Sequence, residues 1–526
     1  MLLVLDDYHH IAAQGVHDLV AALLEFMPAN LHIAIVTRSD PPLPLARLRG
    51  RGRIVELRQS DLRFSATEAA QFLDGVLSTP LAMEHVAALT SRTEGWIAGL
   101  QMAAVSLRGR TDVAEFIAAF AGSHRHILDY LSEEVYRIQP EEVRRFLVRT
   151  SVLERFDAHL CAAVMAPEPP SAADIDAQEA QRMLEHLEHA NLFVVPLDDE
   201  RRWYRYHHLF ADVLRLRMAQ EAPELAPLLH LRASTWFEQQ QFMHDAINHA
   251  LAAQQYDRAA HLMERAAEVT MMRSEVATLR TWLEALPPAT LRGHPLLCVY
   301  EAGALLLAGE TPEQVETLLR DALQREHDAV DGPVAVYLAL AAAYEGRDVA
   351  SKRMAQHALE LLPAHSPFFR SFATLILALN TLGGDDDAAT IARLREAQAI
   401  SDRVGNLMNS VLARCHLAEL SLLHNCLDAA EELYIEALAI ADELSHPDAA
   451  RGFPLIGLGI LHYERNELLR AQRCLEQGIE LNRGWGQMGG VLGRVVLARV
   501  HHALGDVAGA AANASVIDTI LAHSHA

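Results

Sequence analysis

The stretch NCLDAAEELYIEALAI, residues 425–440, decides the fold of most of the chain. It opens with Asn425, and a small residue, Ala430, follows five positions later. The same pairing recurs at Gly384/Ala389, Asn466/Ala471 and Gly505/Ala510, with weaker members at Gly346 and Gly309. The period is about 40 residues, and a two-helix unit repeated at such a period indicates an α-solenoid.

Each repeat unit is longer than the standard tetratricopeptide repeat of about 34 residues, so its helices should be slightly longer. Small residues are needed where two helices cross closely, and leucines such as Leu417 and Leu433 should fill the layer between helices. From about residue 225 onward almost every pattern is helical. The sequence therefore predicts a tetratricopeptide-like helical-repeat domain over residues 219–526.

The N-terminal part of the chain has a different pattern. An apolar run at 2–5 is followed by a helical pattern that starts at Val16, and a second apolar run lies at 31–36. Strand, helix and strand within about 35 residues predict a βαβ unit with a parallel sheet. A third short run, at 54–57, is compatible with another strand.

The first strand and its two aspartates have the form of a Walker B motif. A buried strand delivers a carboxylate to its C-terminal edge, where open α/β sheets bind ligands. We expect Asp6 to hold Mg²⁺, through water, and Asp7 to orient an attacking water. Arg38 after the second strand resembles a sensor arginine for a terminal phosphate. Asp also starts turns well, so the motif alone leaves a purely structural interpretation open.

The middle of the chain indicates two further modules. Ser65 and Glu68 are spaced as a helix-capping box, and helical patterns then run to residue 107. An apolar run at 192–196, a charged turn and an aromatic run at 203–206 predict a β-hairpin set among helices. Helices with one hairpin are typical of a winged-helix module.

The bulk composition excludes several classes of protein. The 526 residues exceed what one core normally supports, so two to four domains are expected. The net charge of −24 disfavours nucleic-acid binding, because no basic patch of sufficient size is evident. Five cysteines without a CxxC pair indicate a reducing cytoplasm. There is no signal-peptide pattern and no apolar run of about 18 residues, so no membrane partner is expected.

Five motifs then occur in order along the chain. They are LVLDDYHHI at 3–11, VTRSDPPLPLARLRGRG at 36–52, LRQSDLRFSATEAAQFL at 57–73, LTSRTEGWIAGLQMAAVSL at 89–107 and YRYHHLFADVLRLRM at 204–218. Together they resemble the MalT-like, LuxR-type large transcriptional activators, members of the STAND class of signal-transduction ATPases. The resemblance is sharp over residues 1–220, and the helical remainder matches in architecture more than in motif.

The resemblance implies a mainly α chain with four domains. They are the C-terminal part of a P-loop NTPase domain over 1–62, a helical domain over 63–124, a winged-helix-like domain over 125–218 and the helical-repeat sensor over 219–526. In such proteins an inducer or regulatory protein binds the repeats, ADP exchanges for ATP, the protein self-associates, and a helix-turn-helix binds DNA.

Carried over by residue, the resemblance makes Asp6 and Asp7 the Walker B acids, Asp6 the Mg²⁺ ligand and Arg38 the sensor. It also makes His207 the winged-helix histidine that touches the β-phosphate. ATP or ADP with Mg²⁺ is the implied cofactor.

The sequence departs from the family pattern twice. It contains no GxxxxGK[ST] phosphate loop and no helix-turn-helix at its C-terminal end. We therefore expect a truncated or split regulator that is not a self-contained enzyme and reaches DNA only through a module missing from this chain. The alternative function is a stand-alone protein-interaction scaffold with a non-functional ATPase remnant.

A few other residues are open to a functional interpretation. Glu185, His186 and His189 lie one helical turn apart and have the residue types of a zinc site, although 28 histidines make such coincidences expected. The paired histidines, such as His501 with His502, lack further patterned ligands. Arginines at 47, 49, 51 and 53 are mostly expected in a solvated loop, and Trp485 is a candidate for lining a ligand groove.

Overall fold

The computed structural model of the protein describes residues 1–11, 13–28, 30–37, 40–58, 61–77, 80–107, 113–119, 125–166, 176–307, 312–324, 330–364, 366–381, 387–444, 447–482 and 491–524. These residues are mainly α-helical, as predicted, and they pack into two compact units, Met1–Gln254 and Gln255–Ala526. None of the helices in these ranges is long and apolar enough to cross a membrane. The predicted domain boundaries at 62, 124 and 218 stay predictions.

The first unit begins with the predicted βαβ unit. Strand β1 (Leu2–Leu5) pairs in parallel with β2 (His32–Ile35), and helix α1 (Gln14–Phe26) connects them. The register places Leu2 opposite His32 and Leu5 opposite Ile35. Because parallel strands end at the same edge, the segments that follow β1 and β2 lie side by side.

The third strand is not formed, so the expectation for residues 54–57 was wrong. In the described residues this sheet has two strands. Val55 is 90% exposed, and the neighbouring Glu56 accepts hydrogen bonds from both Arg49 and Arg58. Residues 54–57 are thus held by ion pairs between side chains and do not pair with the sheet through their backbone.

Apolar surface of the βαβ unit faces solvent. Leu2 and Val4, on one face of β1, are 64% and 54% exposed, and Leu19 and Phe26 of α1 are 69% and 83% exposed. Parallel sheets are normally covered on both faces, so this surface is of the kind that another layer of structure covers.

Six helices follow in the first unit: α2 (Leu45–Gly50), α3 (Ala66–Val76), α4 (Met83–Thr93), α5 (Ile97–Leu107), α6 (Val113–Ala119) and α7 (Arg125–Tyr130), which continues as a π-helical turn at Leu131–Tyr136. The predicted capping box starts α3. Ser65 Oγ accepts the Glu68 backbone N–H, and the Glu68 carboxylate accepts the Ser65 N–H.

A winged-helix arrangement comes next, made of α8 (Glu141–Thr150), α9 (Ala158–Met165), α10 (Ala177–His189), β3 (Val194–Pro196), β4 (Tyr204–Tyr206) and α11 (His208–Glu221). The predicted hairpin is present, with β3 antiparallel to β4. Asp198 holds its turn by accepting the backbone N–H groups of Arg202 and Trp203. Tyr204 and Phe210 are fully buried in the core of this module.

The described residues that follow the winged-helix arrangement are almost entirely helical. Helices α12 (Leu225–Gln239) and α13 (Met243–Ala252) complete the first unit. The second unit contains α14 (Tyr256–Met272), α15 (Val276–Glu284), α16 (Pro288–Arg292), α17 (Pro295–Leu307), α18 (Pro312–Leu323), α19 (Asp331–Tyr344), α20 (Asp348–Leu361), α21 (Pro367–Leu379), α22 (Asp387–Val404), α23 (Leu407–Leu423), α24 (Leu427–Ala441), α25 (Pro447–Glu464), α26 (Leu468–Leu481), α27 (Val491–Ala503) and α28 (Val507–Ser524).

The repeated residue pairs mark the turns between paired helices. Asn425 and Asn466 adopt the left-handed conformation, with φ of 59° and 57°, directly after α23 and α25. Left-handed residues close helix C-termini because they let the chain reverse, and Gly and Asn adopt this conformation most readily. The small residues five positions later, Ala430 and Ala471, are fully buried between helices. Gly384 and Gly309 of the predicted repeat lie outside the described residues.

The same geometry occurs at two positions that the sequence pattern missed. Gln241 and Gln254 also have positive φ, of 64° and 56°, and the residues five positions later, Ala246 and Ala259, are fully buried. Glutamine seldom adopts the left-handed region, so the letter Q gave no signal for these turns.

Candidate functional site

The two aspartates after β1 stand at the C-terminal edge of the parallel sheet. Asp6 Oδ1 accepts the Asp7 backbone N–H at 2.9 Å, and Asp7 has a left-handed φ of 51°. The turn is held by Tyr8, whose N–H donates to the carbonyl of Val36 after β2 at 3.1 Å. The buried Tyr8 hydroxyl also lies 3.0 Å from Nδ1 of His17 on α1. Sheet and helix together therefore fix where the aspartates stand.

The aspartates are accessible to a cation. The Asp7 side chain is 67% exposed, and one ligand atom from each of Asp7, His9 and His10 falls within 4.8 Å of the others. Exposed carboxylates at a sheet edge suit Mg²⁺, which keeps several of its waters when it binds protein. The other predicted residue of this edge, Arg38, lies outside the described residues.

His207 occupies a buried position between β4 and α11. Its ring packs against Trp96 and Phe193, with centroid separations of 6.1 Å and 5.8 Å. Nε2 lies 3.0 Å from the carbonyl oxygen of Thr93, so we assign the ring proton to Nε2. Nδ1 is buried and has no hydrogen-bond partner among the described residues.

The surroundings of His207 favour a neutral ring. Burial lowers the pKa of His207, and the nearby Glu94 carboxylate acts in the opposite direction. A neutral ring can donate from one nitrogen only, whereas an imidazolium donates from both. Contact between a phosphate oxygen and Nδ1 therefore requires that His207 gain a proton, which the phosphate charge would favour. Because Nδ1 is buried, such contact also requires the packing around the ring to open.

Glu94 is the centre of the polar contacts around His207, and nothing in its local sequence had indicated this role. It is a carboxylate with only 7% exposure that accepts hydrogen bonds from Arg205 Nη1 at 2.7 Å and Nη2 at 2.8 Å, and from the His208 N–H at 3.1 Å. Arg63 Nη2 lies 3.5 Å away. Burial alone would raise the pKa of Glu94, but the contacts with Arg205 and with the His208 N–H, together with the nearby His207, lower it to about 2.

Gly95 joins two of the sequence motifs by backbone contact. Its φ is +70°, and a Cβ at this position would lie 2.5 Å from the Phe64 carbonyl oxygen. In return the Phe64 N–H donates to the Gly95 carbonyl at 2.9 Å. Only glycine combines this conformation with so close an approach.

Three of the five motifs therefore meet at one place, which we call the Glu94 cluster. It comprises Arg63 and Phe64, then Thr93 to Trp96, then Arg205 to His208. A cleft of about 540 Å³ adjoins it and is lined in part by Arg92, Arg205, His208 and Arg215. Each of the three motifs contains a charged residue that takes part in the cluster. The spacing of these residues in the sequence does not reveal which of them form ion pairs.

The predicted site residues fall into two groups. Asp6 and Asp7 make their described contacts with residues 6–10, whereas His207 bonds to Thr93 and, through its backbone, to Phe193. The described contacts do not join the two groups. The roles assigned to Asp6, Asp7, Arg38 and His207 stay predictions.

The other predicted candidates have ordinary structural contacts. His189 Nδ1 lies 2.6 Å from the Glu185 carbonyl oxygen, and the Glu185, His186 and His189 side chains do not form one of the clusters of metal-ligating atoms in the described residues. His501 pairs with Asp506 at 2.8 Å. Of the basic run, Arg47 and Arg49 lie on helix α2 and not in the expected loop, whereas the arginines at 51 and 53 follow the helix. Arg47 pairs with Glu25 at the surface. Trp485 lies outside the described residues.

Comparison with protein families defines the class of the chain. The model described as the MalT winged helix domain matches residues 132–226, and the model described as the MalT-like TPR region matches residues 332–523. The chain is thus MalT-like, with a winged helix followed by tetratricopeptide-type repeats, and the resemblance predicted from its motifs is confirmed.

The individual relatives are named either as transcriptional regulators or as a protein kinase. The HTH-type transcriptional regulators MalT of Serratia proteamaculans and of Klebsiella pneumoniae subsp. pneumoniae are 29% identical over 459 residues and 32% identical over 382 residues. These matches cover 84% and 72% of this chain, and 49% and 41% of the relatives. The serine/threonine-protein kinase PknK of Mycobacterium tuberculosis is 29% identical over 525 residues, covering 97% of this chain and 46% of the kinase. The chain spans less than half the length of each relative.

Proposed function

We propose that this chain is the regulatory core of a MalT-like signal-responsive protein, in which the helical repeats receive a signal and the N-terminal domains form part of a nucleotide-dependent switch. The chain acts as a switch and sensor and is not a self-contained enzyme. The signal is a small inducer or a regulatory protein bound on the repeats, and any action on DNA passes through another module.

The observation that carries this proposal is the extent of the match to relatives with different names. One group is named for transcriptional regulation and the other for protein kinase activity, yet both match most of this chain. A region shared by proteins with different outputs is best explained as the part that controls output. The alternative, a stand-alone scaffold, uses the same repeats without a switch.

The charges at the two predicted sites are consistent with a nucleotide switch. A bound Mg²⁺–nucleotide would supply a divalent cation and negative phosphate charge. Asp6 would hold the cation through water at the sheet edge, and Asp7 would orient an attacking water. His207 would hold a proton on Nδ1 toward a phosphate, and Thr93 would keep its Nε2–H oriented. Arg38 would sense the terminal phosphate.

The same proposal implies that this chain binds nucleotide weakly by itself. The sequence carries no phosphate loop, whose backbone N–H groups and lysine supply most of the affinity for phosphates. The exposed apolar surface of β1 and α1 also supports a P-loop domain that is completed by further structure.

Calorimetric titration of the full chain with Mg²⁺–ADP and Mg²⁺–ATP tests the proposal. We expect no tight binding, and sub-micromolar affinity would contradict this expectation. If tight binding occurs, Asp6→Ala and His207→Ala should both weaken it, with His501→Ala as the control. Unchanged affinity in both variants would refute the site assignment.

A second measurement separates the switch from the scaffold. Joined in one polypeptide to a phosphate-loop segment, the chain should bind ADP, and His207→Ala should then weaken ADP binding. The scaffold alternative predicts that nucleotide binding is not recovered in the joined protein.

A further inference from the structure

A cluster of three metal-ligating side chains lies near the start of the second unit, whereas both predicted nucleotide-site groups belong to the first unit. His261 and Glu264 are one turn apart on α14, and His294 lies in the turn between α16 and α17. One ligand atom from each residue falls within 4.8 Å of the others. We propose that these three residues bind a divalent cation of the Zn²⁺ type, and this inference is independent of the proposed function.

The carboxylate of Glu264 lies between the two imidazoles. Its Oε1 is 3.1 Å from His294 Nδ1, and its Oε2 is 3.5 Å from His261 Nδ1. Ligands about 2.0–2.1 Å from a tetrahedral zinc ion are about 3.3 Å from one another, which matches both distances. The two imidazole rings are 4.9 Å apart and nearly perpendicular, at 82°, so their Nδ1 atoms approach the carboxylate from different directions.

The three side chains differ in how firmly the fold holds them. The His294 side chain is 12% exposed, and its backbone is fixed because its N–H donates to Leu291 and its carbonyl accepts the Leu297 N–H. Glu264 is 26% exposed. His261 is 70% exposed, so it is free to rotate toward the carboxylate and to leave an open coordination position for water. His294 and Glu264 are held by the fold, and the exposed His261 can adjust its position to complete a site with three protein ligands.

The ligand set points to the class of the metal. Two imidazoles and one carboxylate are ligands that Zn²⁺ takes in proteins, and Mg²⁺ or Ca²⁺ would prefer oxygen ligands throughout. Because the ligands come from α14 and from the turn before α17, a bound ion would cross-link two segments that are about 30 residues apart in sequence.

Metal analysis after equilibrium dialysis of the full chain against Zn²⁺ tests the site. We expect the His261→Asn and His294→Asn variants each to bind one equivalent less than the unsubstituted chain, or to bind it at least about tenfold more weakly. Loss of a direct ligand should cost no less than the 10- to 100-fold measured for residues that only support ligands. His261→Asn should retain its helical circular dichroism, because its side chain is largely exposed.

The chain offers a matched control in His357 and Glu360. They have the same i, i+3 spacing on α20, with Nδ1 3.7 Å from the carboxylate, but they are not part of a three-ligand cluster in the described residues. His357→Asn should leave Zn²⁺ binding unchanged. The proposal fails if the stoichiometry and affinity of His261→Asn and His294→Asn equal those of the unsubstituted chain, or if His357→Asn causes an equal loss.

Discussion

At the scale of single residues, Glu94 shows how charge holds sequence motifs together. Its carboxylate is almost completely buried, yet it is ionised because Arg205 and the His208 N–H bind it directly. Removing one partner of a buried ion pair is strongly destabilising, because the charge that remains has neither water nor a counter-ion around it. This contact is therefore expected to make the arrangement of the winged helix against α4 specific.

Substitution of Glu94 tests that expectation. Glu94→Gln should lower the free energy of unfolding of the first unit by about 2–3 kcal/mol, because hydrogen bonds to charged groups contribute about 1.5–3 kcal/mol. Fluorescence-detected denaturation suits the measurement, since Trp96 lies beside the cluster. The control is Glu133→Gln, whose ion pair with Arg137 is exposed on both sides and should change stability by under about 1 kcal/mol. Equal losses in the two variants would contradict the expectation.

The buried His249 and its partly buried neighbour His230 should make the first unit sensitive to mild acid. His230 and His249 face each other with their Nδ1 atoms 2.8 Å apart. Burial, with Arg215 nearby, lowers the pKa of His230 to about 4, and burial, with His230 nearby, lowers the pKa of His249 to about 3. Both rings are therefore neutral in the folded protein at neutral pH.

The sign of the pH effect follows from these depressed pKa values. Below the ordinary histidine pKa of 6.5 the unfolded chain takes up protons that the folded chain does not, so stability falls as pH drops from 6.5 toward about 4. Each such proton contributes up to about 1.4 kcal/mol per pH unit. In His230→Gln the slope of unfolding free energy against pH in this window should be shallower. An unchanged slope would show that the pair is not responsible.

Glu94 contributes to acid sensitivity in a lower window. Because its pKa falls from 4.5 to about 2 in the folded protein, its contribution is complete above pH 4.5 and is lost as pH falls toward 2. Loss of stability between pH 6.5 and 4.5 therefore reports the histidine pair and not Glu94, whereas below pH 4.5 His249 and Glu94 both contribute.

At the scale of helices, glycines let tyrosines pack into the neighbouring helix. A Cβ at Gly457 on α25 would lie 2.2 Å from Cε1 of Tyr434 on α24, and a Cβ at Gly303 on α17 would lie 2.2 Å from Cζ of Tyr337 on α19. Both tyrosines are almost fully buried. These glycines are therefore required for space, although they lie within helices, where glycine is otherwise unfavourable.

Substitution of one glycine tests this packing. Gly457→Ala should destabilise the second unit by about 1–3 kcal/mol, because the added methyl group forces the tyrosine ring or a helix to move. Combining it with Tyr434→Leu should cost less than the sum of the two single changes, since the smaller side chain relieves the clash. Chemical denaturation followed by circular dichroism measures both. Strict additivity would mean that the ring is not the obstacle.

The helical elements were the part of the fold most accessible to sequence reasoning. The repeat was visible because Asn425, Asn466 and Gly505 are residues that tolerate the left-handed turn, and because a small residue follows each of them at a fixed distance, which is fully buried after the two asparagines. The turns at Gln241 and Gln254 were invisible, because tertiary packing imposes there a conformation that the residue type does not favour. The prediction of a third strand was wrong for a related reason, because an apolar run does not show that Glu56 pairs with arginines.

The candidate site was predictable only in part. The strand that presents Asp6 and Asp7 follows from local pattern, whereas the burial of His207 and its contact with Thr93 depend on residues 114 positions apart. Such contacts follow from long-range packing, which no local periodicity encodes. The clustering of Arg63, Glu94 and Arg205 belongs to the same category.

At the scale of the whole molecule, the charge and the exposed apolar surface act in opposite directions on solubility. The chain carries a net charge of −24, which keeps copies apart. The exposed stripe of α1, formed by Val16, Leu19, Leu23 and Phe26, favours association. Salt screens the repulsion over distances beyond about 10 Å and leaves the apolar attraction in place.

This balance predicts salt-dependent self-association. At high salt the chain should associate and bind an apolar fluorescent dye, and the Leu19→Gln, Phe26→Gln double variant should do both less. The control is Val349→Gln, because Val349 is 86% exposed on α20 and does not belong to the stripe. Analytical ultracentrifugation at low and high salt provides the measurement. If the control reduces association as much as the double variant does, the stripe is not the cause.

The left-handed residues at the helix turns have a consequence for engineering. Gln241, Gln254 and Ser274 each accept a backbone conformation that glycine adopts without steric penalty. Replacing these residues with glycine would remove the steric cost of that conformation. Glycine at these corners should raise the melting temperature, each change adding up to about 1 kcal/mol, less the greater freedom that glycine gives the unfolded chain. A thermostable version is thus within reach of substitutions that leave every buried side chain as it is.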